Sequence, residues 1–237
     1  MMTYSNLIAF HGDPKIKEDL LAQLQLHYDA DEMTQDKYWQ WGNGGRCPVG
    51  CTIHYRDEKD YETDYGISQA LECLKDSILS GLPNHLSKQW PLDFARAIPV
   101  GADLSLVWPK FAAWMLTDEN YGAIQYAQSE DSKKAIQQTY HLCKQVAMGE
   151  EISVDEWNEV WSTYFSYFEV ARFDAITANA TVVDAATCAY YVVRHWAEEG
   201  GLTAPYDAAE AACRSCDREK IRVAQAEKLI QLLNECK

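Results

Sequence analysis

The chain has 237 residues, 47% of them hydrophobic, and its 21 Lys and Arg against 36 Asp and Glu give a net charge of -15. This length supports one large helical domain or two small ones, each with its own core. The charge opposes non-specific binding to nucleic acid or anionic membrane, because no surplus of cations exists to displace counterions, and no direct nucleic-acid binding is expected; a basic protein partner, or a groove normally filled by nucleic acid, stays open to such a surface.

No apolar run reaches the length of a membrane span. The 8 cysteines lie in a chain too long for a small disulfide framework and follow no signal segment, so they read as reduced thiols of a cytoplasmic protein. Tyr4 to Phe10 is a short apolar patch, either a strand or a leading arm. His11-Gly12-Asp13-Pro14 ends it and opens a helix, with Asp13 as N-cap and Pro14 at the first helical position. Ile16, Leu20, Leu24, His27 and Asp31 share one face of that helix, which puts His27 at a core position with Asp31 a turn further on. Tyr38, Trp39 and Trp41 then lead into Gly44-Gly45, as ordinary core aromatics or as an aromatic lid.

The stretch from Gly44 to His54 concentrates the residues able to do chemistry. Two glycines permit a tight turn, and Pro48 is suited to the first turn of a helix capped by Cys47. Cys47, Cys51 and His54 follow at i, i+4 and i+7 and share a face. Three readings stay open. As a metal site, the three are soft or borderline ligands, and His27, oriented by Asp31, closes a tetrahedral zinc site, with His11 as competitor. As a nucleophile, Cys47 at a helix N-terminus has its thiolate favoured by the helix dipole. As packing, small buried thiols need no catalytic purpose.

Residues 56–64 form an acidic, solvated connection. Ile67, Leu71, Leu74, Ile78 and Leu82 give a helical stripe closed by Gly81 and Pro83. Asn84 can cap the next segment, Pro91 and Pro99 keep the helices short, and Asp103 is placed to cap a helix from Leu104 to Leu116 that Pro109 must kink or divide. Trp90, Phe94, Trp108, Phe111 and Trp114 read as core, since no basic residues interleave with them. After the break at Asp118 to Gly122, a helix runs from about Asp131 to Met148 and stops at Gly149. Ser153 and Glu156 form a capping box ahead of Trp157, Trp161, Tyr164, Phe165 and Phe168. A weaker box at Thr181 and Asp184 opens a helix through Trp196. A last helix starts near Pro205 and carries Ala209, Ala212, Cys216, Val223, Ala226, Ile230 and Leu233 as a coiled-coil type of seam, interrupted by Glu219. Cys213 and Cys216 lack the context of a redox pair and read as small packing residues.

The run Cys47-Pro48-Val49-Gly50-Cys51-Thr52-Ile53-His54, with Gly66-Ile67, Leu82-Pro83, the phrase Gly101 to Pro109 and the alanine-rich tail ending Leu229 to Leu233, resembles a family of uncharacterised helical proteins of bacteria and their phages. The resemblance implies a bacterial or mobile-element origin and no chemistry; residues 119 to 180 carry no matching phrase. The reading as a whole is an all-α multi-helix bundle with a short extended N-terminal segment. Its N-terminal half (1–118) holds the Cys/His cluster, and its C-terminal layer (119–237) is either separate or continuous with it. The expected function is an acidic cytoplasmic binding or regulatory protein acting through protein contact, including a partner with a basic groove, and carrying a structural zinc on Cys47, Cys51, His54 and His27. The alternative is a cysteine-dependent hydrolase or acyl transferase with Cys47 as nucleophile and His54 as base.

Overall fold

Some helix starts in this chain are set by side chains that accept the first free N–H groups of a helix, while those at Asn84, Trp90 and Val107 have no capping side chain. In the computed structural model, which describes residues 7–30, 59–127, 129–160, 162, 180–197, 208–209, 211–212 and 217–237, Asp13 caps α1 (Pro14–Asp29) by accepting from Lys15 N at 2.8 Å. The later helices are α2 (Lys59–Tyr65), α3 (Gln69–Gly81), α4 (Asn84–Ser87), α5 (Trp90–Ala97), α6 (Val107–Thr117), α7 (Glu130–Ala147), α8 (154–160), α9 (Ala180–Ala197) and α10 (Arg218–Asn234). Ser129 caps α7 through its bond from Ser132 N at 3.0 Å. The fold is all-α; among the described residues, extended pairing is confined to one bridge between Ile8 and Asp103.

Four local expectations are corrected. The stretch 56–64 is not wholly a solvated connection, since Lys59–Tyr65 is helical and Tyr61 on it is buried. Pro109 is the third residue of α6 and neither kinks nor divides it, because an N–H at that position has no intrahelical partner to lose. Asp103 turns the chain ahead of the helix, accepting from Ser105 N at 2.8 Å, and α6 begins only at Val107. The final helix is interrupted: residues 208–209 and 211–212 are helical, Asp217 is not, and α10 starts afresh at Arg218. Asp217 is exposed and accepts from Lys220 N at 3.4 Å, capping a separate helix start in place of a continuous one.

The chain divides into two compact units. One comprises Tyr4–Ser105 with Ala226–Lys237. Here the described part of the short N-terminal patch, Leu7 to Phe10, is an arm: Ala9 N bonds to Ala102 O at 3.0 Å and Gly101 N to Ala9 O at 2.9 Å, and beside it Asp103 N bonds to Lys237 O at 3.3 Å. The arm ends in a left-handed turn in which Phe10 and His11 adopt φ of 54° and 52°, a conformation costing roughly 1–2 kcal/mol per residue. Full burial of Phe10, with the Lys17 ammonium 5.7 Å from its ring centroid, offsets that cost. The same ammonium donates to Arg96 O at 2.8 Å and Ile98 O at 2.6 Å and so closes the C-terminal end of α5 against α1.

The other unit comprises Met1–Thr3 with Leu106–Gln225. α6, α7 and α9 pack together around an aromatic core. Trp157 of α8 stacks on Trp196 with centroids 4.5 Å apart and planes within 8°, and Trp196 stacks on Trp108 at 6.0 Å. Phe111 continues the row at 6.5 Å from Trp108, and Trp114 lies 5.5 Å from Phe111. Trp90, Phe94, Trp108 and Phe111 are buried as expected, while Trp114 is half-buried. In the same unit, the fully buried Arg222 donates to Gln225 Oε1 at 2.9 Å, and Gln225 donates to Ala209 O at 3.3 Å.

Candidate functional site

Residues Gln69 to Leu79 of α3 are buried without interruption. Burial of Leu71, Leu74 and Ile78 follows from the apolar stripe. Burial of the neighbouring arc does not, because it carries Glu72, Lys75 and Asp76, each only 2% exposed. These residues are spaced i, i+3 and i+4 and therefore share a face of the helix.

The Lys75 ammonium is the centre of the arrangement. It lies 3.4 Å from Asp76 Oδ1, 4.8 Å from the centroid of the Tyr61 ring and 5.9 Å from that of Phe94. Attraction between an ammonium and a ring face reaches about 2 kcal/mol where water is excluded. Trp90 Nε1 donates to the Lys75 carbonyl at 3.0 Å and ties α5 to the middle of α3. The α2–α3 connection sets Tyr61 in place: Gly66 turns the chain at φ 62°, where a Cβ would collide with the Ile8 carbonyl oxygen, and Glu62 accepts from Gln69 N at 2.9 Å at the positive end of α3.

Burial pushes the Tyr61 phenol up to about 12; the Lys75 charge pulls the other way, and the carboxylates of Glu72 and Asp76 push it further up. The phenol is therefore protonated at neutral pH and available as a donor. Two carboxylates, an ammonium and a phenol removed from water together form a centre able to hold a proton or orient a polar group, in the kind of environment where functional sites concentrate.

Of the residues singled out in the sequence, Cys47, Cys51, His54 and Asp31 lie outside the described residues. His27 is buried in the last turn of α1. His11 precedes the same helix, exposed, with its Nε2 bonded to Thr63 O at 2.8 Å. A helix rises about 1.5 Å per residue, so these two histidines stand at opposite ends of α1, roughly 20 Å apart. A single metal ion can therefore take one of them and not both. Among the described residues, no three His, Cys, Asp or Glu side chains gather as a metal-binding group. Cys73, Cys143 and Cys188 are buried, and burial together with the neighbouring Cys188 thiol pushes the Cys143 thiol up, away from the thiolate.

Sequence reasoning missed Glu72, Lys75 and Asp76, whose spacing is that of an ordinary solvated face. The available signal was Leu79, which falls within the polar arc, together with Ala70, Cys73 and Ser77, whose small side chains fill the remaining side of the helix. No known protein family, characterised protein or solved structure matches this chain.

Proposed function

We propose that the chain is an acidic, cytoplasmic binding or regulatory protein of a bacterium or its phages, acting by contact with a basic protein partner. The observation that carries this reading is the location of the acidic surplus: among the described residues, 17 Asp and Glu are exposed against 9 Lys and Arg. Charge placed there steers encounter with a cationic partner and repels nucleic acid and anionic lipid. Among the described residues, no helix is long and apolar enough to cross a membrane. A structural zinc on Cys47, Cys51, His54 and His27 belongs to this reading, since it would tie α1 to the glycine turn; metal analysis of untagged protein then gives about one zinc per chain, and Cys51→Ser loses it.

The test is affinity capture with the full chain from bacterial lysate at moderate salt. The expected result is a basic protein that is released as salt rises. Recovery of no salt-sensitive basic partner, alongside turnover of a small metabolite, would overturn the reading.

A second reading is a cysteine-dependent hydrolase or acyl transferase, with Cys47 attacking an acyl carbonyl and His54 accepting the thiol proton. What favours it is the sequence pattern that puts Cys47 at a helix N-terminus with Cys51 and His54 on the same face. On this reading, iodoacetamide labels Cys47 in the native protein much faster than the buried Cys73, Cys143 and Cys188. Uniformly slow labelling removes it.

A further inference from the structure

α6 begins uncapped and inside the protein. Its first two residues, Val107 and Trp108, are each 2% exposed, and no side chain accepts from the start of the helix. The first N–H to bond back is that of Lys110, to Leu106 O at 3.2 Å; Pro109 has none, and those of Val107 and Trp108 have no acceptor among the described residues. Asp103, the nearest carboxylate upstream in sequence, accepts from Ser105 N instead, and the Leu106 side chain at the N-cap carries no oxygen. Donors at the positive end of a helix dipole are thereby removed from water and left unsatisfied, a state that native helix ends rarely keep.

The side chains repeat the pattern. Trp108 Nε1 is buried with no hydrogen-bond partner among the described residues, and Trp196 Nε1 is in the same condition. A helical Cα–Cβ bond tilts toward the N-terminus, so the Trp108 indole, on the first turn, leans back over the bare end of α6. Trp196 stacks on it at 6.0 Å, and His195 sets its ring edge-on to both indoles, at 5.6 and 5.0 Å. Two backbone and two indole donors therefore meet between aromatic rings. Trp196 is half-buried, so the row of rings comes to the surface on its side.

We propose that the start of α6 is a binding site for a small organic carboxylate, whose oxygens take the N–H groups of Val107 and Trp108 and the Trp108 indole, with the Trp196 indole beside them. The inference goes beyond the protein-contact reading and does not depend on it: it gives the chain a small-molecule ligand, whatever partner the chain meets. The donors select the ligand class. Each of them needs an acceptor, and negative charge is favoured at a helix N-terminus, where bonds to an ionised oxygen are the stronger kind. The two oxygens of a carboxylate accept up to about four bonds. Phosphate or sulfate would bring more charge against ring faces that are themselves electron-rich, whereas the flat apolar body of an aromatic acid packs on those rings.

The test titrates the full chain, labelled with 15N-tryptophan, with sodium benzoate, sodium acetate and sodium phosphate at constant ionic strength, following the indole N–H resonances and the heat of binding. Benzoate should bind at a single site and shift the Trp108 and Trp196 indole signals, with acetate weaker and phosphate weakest. Trp108→Phe keeps a ring and drops the donor, and should weaken benzoate by roughly tenfold, equivalent to about 1.4 kcal/mol; Trp114→Phe, the same change on the same helix, should bind as the parent does. Leu106→Asp brings the chain's own carboxylate to the N-cap and should abolish benzoate binding, while Leu106→Ala keeps it, so the result does not hang on the folding of one tryptophan variant; circular dichroism verifies that each variant is folded. If neither benzoate nor acetate shifts the two indole signals, the donors serve no carboxylate and the proposal fails. It fails equally if benzoate binds Leu106→Asp as tightly as the parent, if Trp114→Phe loses as much as Trp108→Phe, or if phosphate outcompetes benzoate at the same indoles.

Discussion

The two units bury their helices by different chemistry. In the unit holding α3, the central helix takes an ammonium and two carboxylates into the interior and balances them with ring faces and opposite charge. In the unit holding α9, the interior is joined by a row of stacked aromatic rings running from Trp157 through Trp196 and Trp108 to Phe111. The difference teaches where each unit is sensitive. A charged interior depends on every ionised member staying paired, since removing one leaves another uncompensated, whereas an aromatic interior depends on volume and loses stability in proportion to the contacts removed.

The largest effect expected from this comparison is at Lys75. Lys75→Ala should cost about 3–5 kcal/mol in urea denaturation, because it strands buried carboxylates. Lys75→Met keeps most of the volume and should recover little of that loss; if it recovers most, the charge is incidental and the contrast between the units fails. Next comes Trp108→Leu, which removes the stacks on Trp196 and Phe111 and should cost about 2–3 kcal/mol with no ionisable group lost. A loss below about 1 kcal/mol would mean that the aromatic row is not what holds its unit together.

Tyr61 sharpens the contrast through pH. Its phenol is raised from 10.0 to about 12 in the folded chain, so the folded state keeps a proton that the unfolded state releases above pH 10. The associated stability is fully present below pH 10 and is lost as pH rises through about 12. It amounts to on the order of 2 kcal/mol. Tyr61→Phe should abolish this alkaline loss, followed by denaturation at stepped pH; an unchanged alkaline profile would show that Tyr61 ionises as freely as an exposed tyrosine.

The smallest effect is at the start of α8, which belongs to the aromatic unit and joins its row of rings through Trp157. Ser153→Ala removes the cap of α8 and should cost about 1 kcal/mol. Hydrogen bonds from Ser153 hold the Glu156 carboxyl below its usual range, so their contribution is present above pH 4.5 and is lost as pH falls through the lowered folded value. The gap between parent and Ser153→Ala should therefore narrow in acid; a gap that is constant with pH would place the effect in helix propensity alone.

What the sequence by itself determined is what residues a few positions apart decide. Asp13 with Pro14, the Ser153–Glu156 box and the Gly149 stop are legible because each cap is satisfied within a handful of residues, and the stripe Ile67, Leu71, Leu74, Ile78 is legible because a helix repeats every 3.6 residues. The Cys47, Cys51 and His54 cluster is legible as a concentration of chemistry, yet it lies outside the described residues. The buried face of α3 was not legible, because Glu72, Lys75 and Asp76 have the same spacing whether water or Tyr61 and Phe94 lie beyond them. Nor was the meeting of Trp157 with Trp196, or of Asp103 N with Lys237 O at 3.3 Å, since these partners are far apart in the chain. Tertiary structure alone decided these features, because the energy of burying a charge or stacking a ring depends on what the rest of the chain brings to that place and not on the residues beside it.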